Sequence, residues 1–133
     1  MIRRLIQGCL LAAFLTSAHG QSPSMLEYVK AQALEADRAF KANPDPSVVS
    51  ARAVADGKAI VYTLVINFTW NFNDARTDMW RRATWSEVIP PACSLIRRNP
   101  YYQEGLQLLY RYVDMQGQLW GEFSANKNVC AKL

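Results

Sequence analysis

The 133-residue chain holds a single histidine, His19, and it falls inside an N-terminal stretch that reads as a removable leader. A mature chain without histidine has no Ser-His-Asp or Cys-His catalysis and no histidine-based zinc site. Cysteine is scarce as well: Cys9, Cys93 and Cys130 are all there are. The six glycines never gather into a phosphate-cradling loop or a dinucleotide fingerprint. No apolar run beyond the leader has the length to cross a membrane. Cofactor-dependent chemistry and metal chemistry therefore have no visible footing, and no cofactor or metal is expected.

The leader pattern occupies residues 1–20. Arg3 and Arg4 supply a positive start, Leu5 to Leu15 is mostly apolar, and Ala18 and Gly20 are the small residues a signal peptidase prefers. Cleavage after Gly20 leaves a single small domain over residues 21–133. The formal charge of +4 then falls to about +2, because Arg3 and Arg4 leave. That weak excess does not support a nucleic-acid partner. Cys9 leaves too, and Cys93 with Cys130 is an even remainder for an oxidising compartment, so a Cys93–Cys130 disulfide is expected.

What the chain does have is alternation. Ile60, Tyr62, Leu64, Ile66, Phe68, Trp70 and Phe72 occupy every second position of 59–72. A strand with that period has one wholly apolar face. The run is long for a strand, so a bend or an end of pairing is expected between Asn67 and Trp70. Upstream, Ser24 and Glu27 form a capping box, which predicts a helix from Met25. Leu26, Val29, Ala33, Ala36 and Phe40 make its apolar stripe, and Asn43-Pro44-Asp45-Pro46 stops it. Residues 47–55 alternate, with Val49, Ala51, Ala53 and Ala55 on one face. Asp56-Gly57 then signals a hairpin into the long strand.

After a turn at Asn71 to Asp74, Ala75 to Val88 predicts a second helix facing inward through Met79, Ala83 and Trp80. Pro90-Pro91 should break it, leaving a short further piece over 92–98. Leu106 to Val113 and Gln118 to Ser124 predict a second hairpin. In it Leu106, Leu108, Tyr110 and Tyr112 oppose Gln107, Leu109, Arg111 and Val113. On the last strand Leu119, Gly121 and Phe123 oppose Gln118, Trp120, Glu122 and Ser124. The expected fold is two-layer α+β, in the order α-β-β-α-β-β: a four-stranded antiparallel sheet with helices on one face.

Four constellations bear on function. Asp74 and Asp78 are four apart and could act as an acid pair, but caps at a helix start have the same pattern. Arg76, Arg81, Arg82, Arg97 and Arg98, with Trp80 and Trp85 among them, could bind an anionic polymer or form a solvated helix face. Asn67-Phe68-Thr69 matches a glycosylation sequon inside a strand, where it reads as coincidence. The fourth constellation is the sheet face turned away from the helices. It should carry Val48, Arg52, Val54, Val61, Thr63, Val65, Leu109, Arg111, Val113, Trp120 and Glu122. About half of it is apolar, and apolar patches with Trp and Arg mark binding surfaces. Arg52, Arg111, Trp120 and Glu122 are the candidate partner-binding residues, unless the C-terminal tail or a neighbouring loop covers this surface, with Arg111 paired to Glu122 across strands.

The reading is an exported, non-enzymatic binding protein, periplasmic or secreted, with a protein partner in the envelope or outside the cell. Inhibitor or immunity-type proteins and accessory subunits of envelope assemblies have this character. The alternative is a carrier holding a small apolar ligand between helices and sheet.

Overall fold

The structure is a computed structural model, and it describes residues 24–67 and 76–133. The expected leader, the expected turn at 71–74, the sequon's last two positions, Ala75 and the end of the expected long strand lie outside the described residues. The elements run α1 (Met25–Ala42), β1 (Val48–Asp56), β2 (Ala59–Ile66), α2 (Arg76–Ile96), β3 (Gln107–Val113), β4 (Leu119–Ala125) and α3 (Lys127–Cys130). This is the expected order with one short helix added.

α1 begins where its cap predicts. Ser24 accepts from the Glu27 N–H at 3.3 Å, satisfying one of the donors a helix start leaves open. Val29, Ala33, Ala36 and Phe40 are buried. Leu26 is not; it is 53% exposed, and Tyr28 and Gln32 are buried instead. The loop after α2 explains the change. Its Asn99 amide donates to the Tyr28 hydroxyl at 2.6 Å, and the Tyr101 ring lies 4.9 Å from that of Tyr28. That loop covers the first turn of α1 on the Tyr28 side and leaves Leu26 in solvent.

β1 and β2 form the expected hairpin, closed by Gly57 and Lys58, with Gly57 in the left-handed region at φ 57°. β2 stops at Ile66, within a residue of where the sequence calls for an end of pairing. Ala51 and Ala53 sit on the face that α1 covers. Their small side chains let the helix come close enough for the Phe40 ring to meet Tyr62 edge-on at 6.1 Å. Val49, expected on that face, is 57% exposed. A bulge between Val48 and Ser50 inserts one residue, so Val48 pairs with Ile66 and takes the inward position.

The sheet order is β1-β2-β3-β4, but it is mixed rather than wholly antiparallel: β2 and β3 run parallel, from Ala59↔Gln107 to Val65↔Val113. The cause lies in α2. Instead of breaking at Pro90-Pro91, it runs unbroken for 21 residues. At about 1.5 Å per residue that is roughly 31 Å, enough to return the chain along a strand of eight residues to the end where β2 began. A parallel pair needs such a crossover. The two prolines deprive the Ser86 and Glu87 carbonyls of intrahelical donors, yet both residues are exposed and water can serve them. Val88, Ile89, Ala92, Cys93 and Ile96 are all buried on the inner face. At roughly 1.5–3 kcal/mol for each of Val88, Ile89 and Ile96, that burial is of the same size as a cost of about 3 kcal/mol per proline and offsets it.

Both helices pack on one side of the sheet into a single core with Ile60, Tyr62, Leu64, Leu108, Tyr110, Tyr112 and Phe123. The inner residues of α2 are therefore not Met79, Ala83 and Trp80, which are exposed, but the stripe from Thr84 to Ile96. Cys93 and Cys130 are bonded, with Cα atoms 5.4 Å apart and both side chains buried, so the disulfide ties α2 to α3. The Arg97 guanidinium adds a hydrogen bond to the Cys130 carbonyl.

Candidate docking face

Register places the outward residues of the four strands in rows. One row runs Val54, Val61, Leu109, Ser124. The next runs Arg52, Thr63, Arg111, Glu122. A third runs Ser50, Val65, Val113, Leu119. Two largely apolar rows thus flank one charged row. Among the described residues no helix or strand lies over this face. Val61 alone is buried, set between Val54 and Leu109. Thr63, Val65, Leu109 and Val113 are half-buried, while Val54 and Leu119 are 45% and 41% exposed.

Three of the four candidate residues are where the alternation puts them. Arg52, Arg111 and Glu122 share the charged row, and Arg111 Nε lies 3.1 Å from a Glu122 carboxylate oxygen. The cross-strand pair anticipated from the sequence is therefore present. Both side chains remain over two-fifths exposed, so the pair contributes little to stability. Arg52, on the outer strand, has Thr63 as its ladder neighbour.

The fourth candidate is misplaced. Trp120 is 3% exposed and lies on the helix side, its ring 5.2 Å from Tyr112. Val113 pairs with Leu119 and Tyr112 with Gly121, so Trp120 is the extra residue of a second bulge. An added residue turns the next side chain to the other face. Leu119 thereby replaces Trp120 on the open face. The Arg81 guanidinium holds the bulge by donating to the Trp120 carbonyl. No feature of a single sequence marks such a bulge, although Asp114-Met115-Gln116-Gly117 shows where the turn before it must lie.

The sites weighed against this face have less to offer. Asp78 is 77% exposed and paired with Arg81 at 3.6 Å, and its proposed partner Asp74 lies outside the described residues. Among the described residues no group of three or more His, Cys, Asp or Glu could hold a metal ion. Burial pushes the Tyr112 hydroxyl far above the ordinary tyrosine value, with the Glu87 carboxylate adding to the shift, so it stays protonated. Of the five arginines on α2 or directly after it, Arg81 and Arg97 hold backbone carbonyls, which is structural employment.

Among the described residues, aromatic side chains pack the space between helices and sheet where a carried ligand would lie. Tyr62 and Tyr110 stack at 5.1 Å, and Tyr112 meets Trp120 and Phe123 at 5.2 and 5.7 Å. A groove of about 320 Å³ lies elsewhere, at the outer edge of β1, among Phe40, Pro44, Val48 and Arg52. At that edge Asp37 reaches across from α1 and accepts the Ala53 N–H at 3.0 Å. That bond, helped by Lys41, holds the Asp37 carboxyl below its ordinary value, against the opposing effect of burial. No helix among the described residues is long and apolar enough to cross a membrane.

Comparison with protein-family models, curated proteins and solved structures finds no match. The site's geometry stands alone as the guide to function.

Proposed function

We propose that the protein is an exported, non-enzymatic binding protein that works through the open face of its sheet. The observation that carries this reading is the face itself: two apolar rows beside a charged one, uncovered by any described element. Open faces of antiparallel hairpins are ordinarily polar. An apolar one is a liability in water unless something docks on it. The leader pattern and the buried cysteine pair support a place outside the cytoplasm, in the periplasm or beyond the cell. An inhibitor or immunity-type protein, or an accessory subunit of an envelope assembly, fits a small rigid domain of this kind. The packed aromatic core argues against the carrier reading.

The test is site-specific photocrosslinking on exported protein. A crosslinker at Thr63 or Leu109 is expected to give a discrete adduct, and one at Arg38 on the outer side of α1 is expected to give none. Equal labelling from both faces, or none from the sheet, overturns the reading.

A further inference from the structure

The rows that define the open face carry more information than its polarity. Their order across the sheet is self-complementary about one axis and about no other through the charged row. Take a two-fold axis parallel to the strands, along the seam between β2 and β3. It carries β1 of one copy over β4 of the other, and β2 over β3. Within the charged row, Arg52 of one copy then faces Glu122 of the other, twice, and Arg111 faces Thr63, whose hydroxyl can accept from it. The row of Val54, Val61, Leu109 and Ser124 falls on its own reverse, so that Val61 lies over Leu109. The row of Ser50, Val65, Val113 and Leu119 does the same, placing Val65 over Val113. The in-plane axis at right angles to the strands, passing through the charged row, does the opposite. It sets Arg52 on Arg52, Arg111 on Arg111 and Glu122 on Glu122, which repels.

We propose that the partner of the open face is a second copy of this chain, docked sheet to sheet about the strand-parallel axis. This rests on the docking reading above and names the occupant of that same surface. The arrangement is an aligned sandwich, with sheets about 10 Å apart. It is an isologous contact, the same patch used by both copies. Four strands and three rows span about 19 by 20 Å, some 400 Å² of footprint per copy and about 800 Å² in all, which falls below the roughly 1,200 Å² of stable specific interfaces and in the range of weak, transient ones. The dimer is accordingly weak and concentration-dependent. Glu122 bridges its own Arg111 and the opposing Arg52, and the charged row keeps one net positive charge per copy.

Charge reversal tests this directly. In Arg52→Glu the new carboxylate of each copy meets the Glu122 carboxylate of the other. In Glu122→Arg the new guanidinium of each copy meets the Arg52 guanidinium of the other. Each variant alone repels itself twice. When the two variants are mixed, a pair made of one copy of each sets both new side chains against one another, opposite in sign, and keeps the native Arg52 against the native Glu122. Sedimentation and light scattering from roughly 1 to 500 µM, a range suited to a small interface, read the outcome. The parent is expected to move from monomer to dimer mass. Each variant should raise the dissociation constant about tenfold or more, with the like-charge contacts supplying the penalty. The equimolar mixture should recover the dimer. Circular dichroism confirms that each variant is folded, and Arg52→Gln, which removes charge without reversing it, should weaken less. A parent that stays monomeric, a dimer indifferent to both reversals, or a mixture that stays monomeric overturns the proposal. Crosslinking at Thr63 separates it from the broader reading. A doubled-mass adduct supports self-pairing. An adduct with a different protein, acidic ones included, overturns self-pairing and leaves the docking face intact. No adduct overturns both.

Discussion

Asp37→Ala removes the side chain that satisfies the Ala53 N–H on the outer edge of β1. In the folded protein its carboxylate accepts the Ala53 N–H at 3.0 Å and meets Lys41 Nζ at 3.0 Å. The two contacts differ in weight. Lys41 is 75% exposed, so its pairing adds at most a few tenths of a kcal/mol. Ala53 is 5% exposed, and a buried donor stripped of a charged acceptor costs about 1.5–3 kcal/mol. Asp37 keeps some contact with water, which favours the lower half of that range, about 2 kcal/mol. For a domain of this size that is a fall of roughly 8 °C in thermal midpoint.

The pH dependence supplies the sharper test. The folded-state pKa of Asp37 is depressed from 3.8, first by the Ala53 hydrogen bond. A depressed carboxylate stabilises fully above the unfolded-state pKa and loses that contribution as pH falls through the folded one. The gap between parent and Asp37→Ala should therefore be constant from pH 7 to about pH 5 and close progressively below pH 4. Denaturant melts at several pH values measure it. An unchanged midpoint at pH 7, or a gap that survives undiminished at pH 2, refutes the assignment.

Leu64→Ala, at a fully buried position in the middle of β2, should cost about 2–5 kcal/mol in denaturant melts. Trp120→Ala should cost about 3–5 kcal/mol, because its ring packs on Tyr112 inside the core; an unchanged midpoint would return it to the surface. Replacing Cys93 and Cys130 together by alanine should cost about 3–4 kcal/mol, and intact-mass analysis of the oxidised parent should show a mass two hydrogens below the reduced chain. Arg111→Ala should shift stability by less than about 1 kcal/mol, since only an exposed ion pair is lost.

Most of the scaffold was legible because its signals are local. Ser24 announced α1, Asp56-Gly57 announced the first hairpin, and period-2 alternation placed Leu64, Leu108, Tyr110 and Tyr112 inward, where all are buried. Cys93 and Cys130 were paired correctly. The misreadings share one origin, a competition that a local pattern does not display. Pro90-Pro91 signals a break, but the apolar stripe on both sides of it is long enough to hold the helix together. An unbroken α2 then makes β3 parallel to β2, so a single local misjudgement changed the topology. The bulges at Val49 and Trp120 each turn one side chain over. Alternation read from the sequence counts every residue as paired, and so it assigned Val49 inward and Trp120 outward. Of the four candidate docking residues, the three in regular pairing stand as expected, and the one at a bulge does not.

The seam between β2 and β3 also governs how the chain can assemble. Each hairpin brings together residues a few positions apart and can form on its own in about 1–10 µs. The seam joins Ala59 to Gln107 and its neighbours, about fifty residues away along the chain, and such non-local pairing is the slow kind. The disulfide does not cross it, because Cys93 and Cys130 both follow β2. The molecule is thus two helix-hairpin halves, the second closed upon itself by a covalent bond, that meet along one pair of strands and where the loop after α2 covers Tyr28 of α1. A chain cut between Ile66 and Arg76 retains every element of each half. The two fragments, mixed after separate oxidation, should find one another and rebuild the sheet at a rate that rises with their concentration.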